Sequence, residues 1–267
     1  MKARDLYAGV FNRHAVAYRS RQLQTISAGR RRALELLAPR SGELVLDLAC
    51  GPGNISRHLV EVGARVVGVD IADGMLELAS IDVPEAAFVR GELEQLPFAD
   101  GSFDVAFCGH GLQFVADLRR ALGEARRVLR PGGRLAASVP ADRLLVNPEK
   151  VVGPIADRWL NPRPTPVDAG DRGWLEDPGA FSEALREAGF LDARAEVVAT
   201  TASWESPASY VSLCSSWWDT AARMEGVPSS RVEAFQAELR AALEAQFGEG
   251  PFETPGRDVV VLAPTPP

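Results

Sequence analysis

The stretch Val45-Leu46-Asp47-Leu48-Ala49-Cys50-Gly51-Pro52-Gly53-Asn54 decides the fold of this chain. It starts as an apolar strand with an acid near its end, continues into a glycine turn and enters a helix. A glycine turn lets a ligand approach the backbone closely, and the start of the following helix offers unpaired N–H groups. The pattern therefore predicts a ligand-binding turn at the end of a buried strand.

Two details of this turn argue against a dinucleotide ligand. Ser56 stands where the dinucleotide fingerprint G-x-G-x-x-G needs its third glycine. Asp47 also puts a carboxylate beside the turn, where it would repel a pyrophosphate and attract an ammonium group. An aminoacyl end fits this turn better than a diphosphate, so a nicotinamide oxidoreductase is disfavoured.

A second apolar segment, residues 65–70, also ends in an acid, Asp70, 17 residues after Gly53. An acid at the end of a second strand is placed to accept hydrogen bonds from two ribose hydroxyls. The alternative is that Asp70 only caps a turn. Asp73 is predicted to be the N-cap of a short following helix.

Further strands and helices alternate along the first half. Residues 103–108 read as a strand, and Asp117 is predicted to cap a helix that the turn at 130–133 ends. Residues 134–139 read as the next strand. Strands that alternate with helices at this spacing predict an α/β fold with a parallel sheet.

The sequence D-L-A-C-G-P-G-N at 47–54 resembles the first motif of class I S-adenosylmethionine-dependent methyltransferases. Within them it is similar to the small-molecule enzymes with a ubiquinone/menaquinone-methyltransferase-like domain. The resemblance is strong over residues 15–140 and architectural over 177–263. It implies a Rossmann-like, seven-stranded, mostly parallel sheet with helices on both faces. The implied cofactor is S-adenosyl-L-methionine, and the product is S-adenosyl-L-homocysteine.

The resemblance also implies roles for individual residues. It places Tyr18 at the methionine end, Ile71 and Met75 against the adenine ring, and Glu92 at the adenine amino group, where the family more often has aspartate. Tyr18 could equally be an ordinary helix residue, and Glu92 a solvated acid. The full set of cofactor-binding residues predicted in this way is Tyr18, Asp47, Ala49, Cys50, Gly51, Gly53, Asp70, Ile71, Met75, Glu92, Leu93 and Cys108.

Two catalytic candidates lie in the segment that follows the strand at 103–108. In the family this segment borders the methionine end and the methyl acceptor. Because the unperturbed pKa of histidine is near neutrality, His110 is the candidate general base, although a lone histidine is more often structural. Gln113 occupies a position where the family often has histidine. Because the sulfonium is already an activated electrophile, alignment of the acceptor is the main catalytic effect expected.

Composition narrows the possible functions. The chain has 267 residues, is 46% hydrophobic and carries a net charge of −7, which gives no support for nucleic-acid binding. The run Arg30-Arg31-Arg32 is predicted to mark the solvated face of a helix, with Leu34 and Leu37 turned inward. The three cysteines have no close spacing, so neither a metal site nor a disulfide framework is expected. A cytoplasmic protein without a membrane span is predicted.

We expect residues 1–140 to form the cofactor-binding core, with an N-terminal helical cover over 5–38 that Gly9 and Gly29 interrupt. Residues 141–267 are expected to complete the sheet and to add a helical and loop cap that binds the acceptor. The elements predicted there are an irregular connection over 140–176, a helix from Asp177 to Gly189, strands at 193–201 and 257–263, helices at 207–224 and 229–247, and a frayed tail at 264–267.

The predicted function is direct methyl transfer to an O, N or C atom of a small hydrophobic or aromatic metabolite, by a monomer or homodimer. The chain lacks the D/N-P-P-Y/F motif of amine-directed nucleic-acid enzymes. It also lacks the Pro-Cys nucleophile of cytosine-carbon enzymes, since Phe107 precedes Cys108. The alternative is a protein of the same fold that binds S-adenosylmethionine without methylating, either as a rearrangement or cyclisation enzyme or as a binding module.

Overall fold

The computed structural model describes residues 1–22, 26–141, 147–168, 177–215 and 217–267. Its strands are β1 (Leu44–Leu48), β2 (Arg65–Asp70), β3 (Ala87–Arg90), β4 (Phe103–Gly109), β5 (Leu129–Pro140), β6 (Arg194–Trp204) and β7 (Phe252–Pro264). Its helices are α1 (Ala3–Gln22), α2 (Ala28–Leu37), α3 (Asn54–Glu61), α4 (Asp73–Asp82), α5 (Leu118–Val128), α6 (Asn147–Trp159), α7 (Pro178–Glu187), α8 (Pro207–Cys214), α9 (Trp218–Met224) and α10 (Ser229–Phe247).

The described strands form one seven-stranded sheet in the order β3-β2-β1-β4-β5-β7-β6. The pairs from β3 to β5 are parallel, and β7 runs antiparallel to β5. The predicted seven-stranded, mostly parallel α/β sheet is therefore confirmed. The strand order reverses direction between β1 and β4, and ligands of open α/β sheets bind at such a point, beyond the carboxyl ends of the strands.

Helices pack on both faces of the sheet, because alternate residues of β1 contact different sets of helices. Leu46 and Leu48 join α5 and α7 in one apolar cluster, whereas Val45 joins α2 and α3 in another. Because successive strand residues point to opposite faces, the two clusters lie on the two sides of the sheet. Burial of both faces explains the near-continuous apolar sequence of the central strands.

The chain divides into two compact units. The larger comprises residues 1–141, 166–198 and 257–267 and contains β1 to β5. The smaller comprises residues 142–165 and 199–256, and its apolar cluster joins α6, α8 and α10. Within this cluster Tyr210 is fully buried, and its ring centroid lies 4.8 Å from that of Trp204. Among the described residues, we find no helix with both the length and the apolarity to span a membrane.

The helices of the second half differ from the prediction in two places. The connection predicted as irregular contains α6, which the pattern hid because Pro154 lies inside that helix. The helix predicted over 207–224 is two helices, since the backbone of Trp217 is extended and its side chain packs edge-on against Tyr210. Tertiary packing thus overrides local helix propensity there. Trp174 lies outside the described residues.

Local corrections concern caps and termini. Gly9 lies inside α1 without interrupting it. Ala72, not Asp73, is the N-cap of α4, whereas Asp117 caps α5 as predicted. The turn at 130–133 belongs to β5, which starts at Leu129. The tail is not frayed at Thr265, which is buried and donates its Oγ1 hydrogen to the carbonyl of Arg130 at 2.9 Å.

Candidate functional site

The loop after β1 is a series of left-handed residues that ends in α3. Ala49, Gly51 and Gly53 have φ angles of 54°, 55° and 86°. The N–H of Cys50 donates to the carbonyl of Val69 at 3.0 Å and ties the loop to β2. Glycine tolerates this backbone without strain, which explains its presence at 51 and 53. The loop therefore turns sharply at the carboxyl end of β1 and leaves space above it.

Asp70 closes this loop from the end of β2. Its carboxylate accepts hydrogen bonds from the N–H groups of Gly51 at 2.9 Å and Ala72 at 3.0 Å. Burial raises the pKa of this carboxyl group, and the backbone donors act in the opposite direction. Asp70 is thus held in place at the carboxyl end of β2, beside the loop after β1.

Asp47 is the second buried acid, with 1% of its surface exposed. The hydroxyl of Ser56 donates a hydrogen bond to Asp47 Oδ2 at 2.6 Å. The residue that departs from the dinucleotide fingerprint therefore holds the Asp47 carboxyl group. Burial raises the pKa of Asp47 to about 7, while the nearby Arg30 guanidinium opposes this shift. A desolvated acid of this kind is stabilised as an anion when a cationic ligand lies beside it.

Asp47 and Asp70 line a cleft with a volume of about 960 Å³, a value that includes the open mouth of the cleft. Eleven of the fourteen predicted site residues line it: Tyr18, Asp47, Ala49, Cys50, Gly51, Asp70, Ile71, Met75, Glu92, Leu93 and His110. Gly53, Cys108 and Gln113 do not. Gly53 is the N-cap of α3, and Cys108 is fully buried, where desolvation raises the pKa of its thiol to about 12.

Arg30 also lines the cleft, which contradicts its prediction as part of a solvated face. It is only 8% exposed, whereas the neighbouring Arg31 is exposed. Arg30, Leu34 and Leu37 follow the spacing i, i+4, i+7 of one buried helical stripe, a signal that could have identified it. The stem of Arg30 packs over Gly109, where an added Cβ would lie 3.4 Å from Arg30 Cδ.

The cleft also has an aromatic wall that was not predicted from the sequence. It is formed by Tyr7, Phe11 and Phe114. The Phe114 ring centroid lies 5.0 Å from that of Tyr7 and 5.4 Å from that of Phe11, and all three side chains line the cleft. Tyr18 packs edge-on against Phe11, with ring centroids 5.8 Å apart. The wall adds apolar surface to a cleft that also contains charged groups.

Glu92 and Leu93 lie at the mouth of the cleft. Arg4 Nη1 of α1 lies 3.3 Å from Glu92 Oε1, and both side chains are partly exposed. An exposed pair of this kind contributes about 0–1 kcal/mol. Glu92 can therefore exchange Arg4 for another donor at small cost.

His110 follows β4 with a left-handed backbone, at φ 63°. Its N–H donates to the carbonyl of Ser138 at 2.9 Å, and its own carbonyl accepts from Gln113 Nε2 at 2.8 Å. Gln113 is buried and does not line the cleft, and its amide group holds the backbone of His110. The His110 ring reaches a partner that the sequence did not indicate, since Nε2 lies 3.0 Å from Asp258 Oδ2 of β7.

Gly29 provides the space for Asp258. A Cβ at Gly29 would lie 2.0 Å from Asp258 Oδ2, so Gly29→Ala is expected to destabilise the fold by about 1–3 kcal/mol. Gly123→Ala is the matched control, because both glycines lie in helices and nothing approaches within 4 Å of a Cβ at Gly123. That control is expected to stabilise the protein by about 0.5–1 kcal/mol. Urea unfolding measures both changes, and equal values would contradict the packing argument.

Within the part of the chain that the structure describes, no three His, Cys, Asp or Glu side chains form a group that could hold a metal ion. Cys50, Cys108 and Cys214 are all buried as reduced thiols. The cleft itself presents carboxylates, guanidinium groups, an imidazole and the aromatic wall.

Comparison with known proteins agrees with this geometry. Residues 46–137 match the family model for the methyltransferase domain. Over 109 residues the chain is 45% identical to demethylmenaquinone methyltransferase of Beutenbergia cavernae. This match covers 41% of this chain and 45% of that protein. Over 135 residues the chain is 36% identical to malonyl-[acyl-carrier protein] O-methyltransferase of Yersinia pestis, covering 51% and 50%.

The matched part therefore spans about half the length of these curated relatives. Among solved structures, the YcgJ protein of Bacillus subtilis superposes with a TM-score of 0.57 at 18% identity, covering 90% of this chain and 98% of that protein. This likeness shows the fold. Residues 46–137 are thus identified as a methyltransferase domain, which contributes the segments after β1, β2 and β4 to the cleft.

Proposed function

We propose that this protein transfers the methyl group of S-adenosylmethionine to a small hydrophobic or aromatic metabolite. The observation that carries the proposal is the convergence of Asp47, Asp70, Arg30 and the aromatic wall on one cleft at the carboxyl ends of β1, β2 and β4. Each part of the cofactor then has a partner of matching chemistry among the residues of this cleft.

The charged groups at the base of the cleft fit the aminoacyl end of the cofactor. The Asp47 carboxylate would hold the ammonium group, and the Arg30 guanidinium would hold the carboxylate, a pairing that guanidinium geometry favours. The left-handed loop at 49–53 lets the ligand approach the backbone, as Gly51 and Gly53 permit. Two opposite charges in one buried site thus match a zwitterion.

The nucleoside end fits the edge formed by β2 and the loop after β3. Asp70 would accept hydrogen bonds from the ribose hydroxyls, while Ile71 and Met75 pack against the adenine ring. Glu92 and the N–H of Leu93 would meet the polar edge of adenine, with Glu92 released from Arg4. Bound in this way, the cofactor supplies an activated methyl group, and the protein supplies alignment and excludes water.

The acceptor side is supported by the aromatic wall, which offers apolar surface beside the charged base of the cleft. The similarity to a demethylmenaquinone methyltransferase is consistent with a quinone-like acceptor. Such a ring would pack against Tyr7, Phe11 and Phe114, since aromatic pairs favour offset or edge-on contact. We propose the second compact unit as the acceptor-binding cap.

Calorimetric titration with S-adenosylmethionine and S-adenosylhomocysteine tests the cofactor proposal. Asp70→Ala is expected to weaken binding of both about tenfold, because hydrogen bonds to a charged group are lost. The matched control is Asp73→Ala, since Asp73 lies three residues away on α4, is exposed and does not line the cleft. Wild-type protein that binds neither compound, or equal loss in both variants, would refute it.

A further inference from the structure

The pair formed by His110 and Asp258 extends the proposed function from the cofactor to the acceptor. The two residues lie 148 positions apart in the sequence, and their side chains meet at 3.0 Å. Asp258 is paired in register with Pro140 at the carboxyl end of β5. Because β7 runs antiparallel, its early residues reach the sheet edge at which the parallel strands end, and this brings the carboxylate to the cleft.

The burial of the two side chains differs in a way that fits proton exchange. The Asp258 side chain is 6% exposed and Gly29 packs against it, whereas the His110 side chain is 21% exposed and lines the cleft. The acid thus lies behind the imidazole, and the imidazole faces the ligand. A carboxylate in this position orients a histidine ring and stabilises its protonated form.

The backbone of His110 holds the ring in place. A left-handed conformation of a non-glycine residue is strained and persists where surrounding contacts determine it. Here the contacts are the hydrogen bonds from the His110 N–H to Ser138 and from Gln113 to the His110 carbonyl. Strain of this kind clusters at functional sites.

We propose that His110 accepts the proton of a phenolic or enolic hydroxyl on the acceptor and that Asp258 is the positioning residue for this step. The inference rests on the proposed methyl transfer. An ionised carboxylate only accepts hydrogen bonds, so Nε2 carries the ring hydrogen and Nδ1 of the neutral ring carries the lone pair. The acceptor is therefore a hydroxylated aromatic or enol, not an amine or a preformed carboxylate.

The hydroxyl proton passes to His110, and the freed electron pair of the oxygen forms a bond to the methyl carbon of the sulfonium donor. The carbon–sulfur bond breaks, and its electron pair stays on sulfur. The other charged side chains that line the cleft are Arg4, Arg30, Asp47, Asp70, Glu92 and Glu94. The carboxylates favour the imidazolium, and the guanidinium groups disfavour it.

The first test requires no acceptor. The chain has three histidines, so nitrogen-15 spectra of histidine-labelled protein with bound S-adenosylhomocysteine can be assigned with His110→Asn. Asparagine tolerates the left-handed backbone. We expect wild type to show one tautomer, with hydrogen on Nε2, and Asp258→Asn to show a tautomer mixture. Identical spectra for the two proteins would overturn the pairing.

The second test follows the release of S-adenosylhomocysteine from S-adenosylmethionine and a series of substituted phenols. For weakly acidic phenols, Asp258→Asn and His110→Asn are expected to lower kcat about tenfold to a hundredfold with little change in KM. For nitrophenols that are already ionised, the loss should disappear, and raising the pH should rescue the variants. His58→Asn is the control, since His58 does not line the cleft.

Four outcomes separate the two proposals. Equal losses across the phenol series would overturn the proton-accepting role. Turnover confined to amines or carboxylic acids, or no turnover of any hydroxyl compound by protein that binds S-adenosylmethionine, would overturn it as well while leaving the cofactor proposal intact. Failure of wild type to bind S-adenosylmethionine in calorimetry would instead defeat the proposed function itself.

Discussion

Replacing Asp47 with asparagine is expected to weaken binding of S-adenosylmethionine about a hundredfold at pH 7, because the buried partner of its ammonium group is lost. The substitution keeps the size of the side chain and an oxygen that can accept the hydrogen bond of Ser56. Calorimetry on the two proteins measures the difference. The loss is expected to be specific for ligands with an ammonium group.

The same acid should make cofactor binding depend on pH. Burial raises the pKa of Asp47 to about 7, so the acid of the ligand-free protein is protonated below that pH. An ammonium group binds the anion, and the proton must leave first. Affinity is therefore expected to rise about tenfold per pH unit from pH 5 towards pH 7. The α-amino group of the ligand stays protonated over this range.

5′-Methylthioadenosine provides the control ligand, since it lacks the aminoacyl end and keeps the nucleoside that Asp70 would bind. Its affinity should not follow the titration of Asp47. Asp47→Asn should likewise remove most of the pH dependence of S-adenosylmethionine binding. A dependence of equal slope in wild type and Asp47→Asn would mean that another group takes up the proton.

The stability of the ligand-free protein should fall as the pH rises, whereas the affinity for the cofactor rises. Between the ordinary pKa of 3.8 and the folded value of about 7, the native protein keeps a proton on Asp47 that the unfolded chain has released. Stability from this group is full below about pH 4 and is lost as the pH rises to about 7, by at most about 4 kcal/mol. Urea unfolding at pH 5 and pH 7.5 measures this change, and the Asp47→Asn protein should lack it.

The local geometry of the candidate cofactor site could be predicted because strand, turn and helix are consecutive. Asp47, Gly51 and Gly53 lie within one continuous segment, and Asp70 ends the next strand. Alternation of strands and helices then fixes a parallel order, which the sheet confirms. No long-range information is needed for these positions.

The missed features depend on packing between distant segments. Asp258 reaches His110 only because β7 returns antiparallel beside β5, and no pattern in the sequence marks that return. The break between α8 and α9 accompanies the inward packing of Trp217, which competes with helix propensity. The burial of Arg30 was not predicted for another reason. Three consecutive arginines indicate a solvated face, although the helical spacing of Arg30 to Leu34 and Leu37 indicates a buried one.

Replacing Arg30 with methionine is expected to weaken binding of S-adenosylmethionine about a hundredfold or more. Methionine keeps an unbranched stem that can cover Gly109, as Arg30 does, and removes only the charged head. Without the guanidinium, the carboxylate of the cofactor would be desolvated beside Asp47 with no cationic partner, and an uncompensated buried charge costs about 3–5 kcal/mol. Calorimetric titration measures the loss.

Arg31→Met is the matched control, because Arg31 is the next residue of α2, carries the same charge and is exposed. It should leave the affinity for S-adenosylmethionine unchanged. Decarboxylated S-adenosylmethionine separates binding of the carboxylate from general damage to the cleft. Arg30→Met should bind this analogue at least as well as wild type does, since removing the cation leaves Asp47 to attract its ammonium group alone. Equal losses for both ligands would show that Arg30 shapes the cleft and does not recognise the carboxylate.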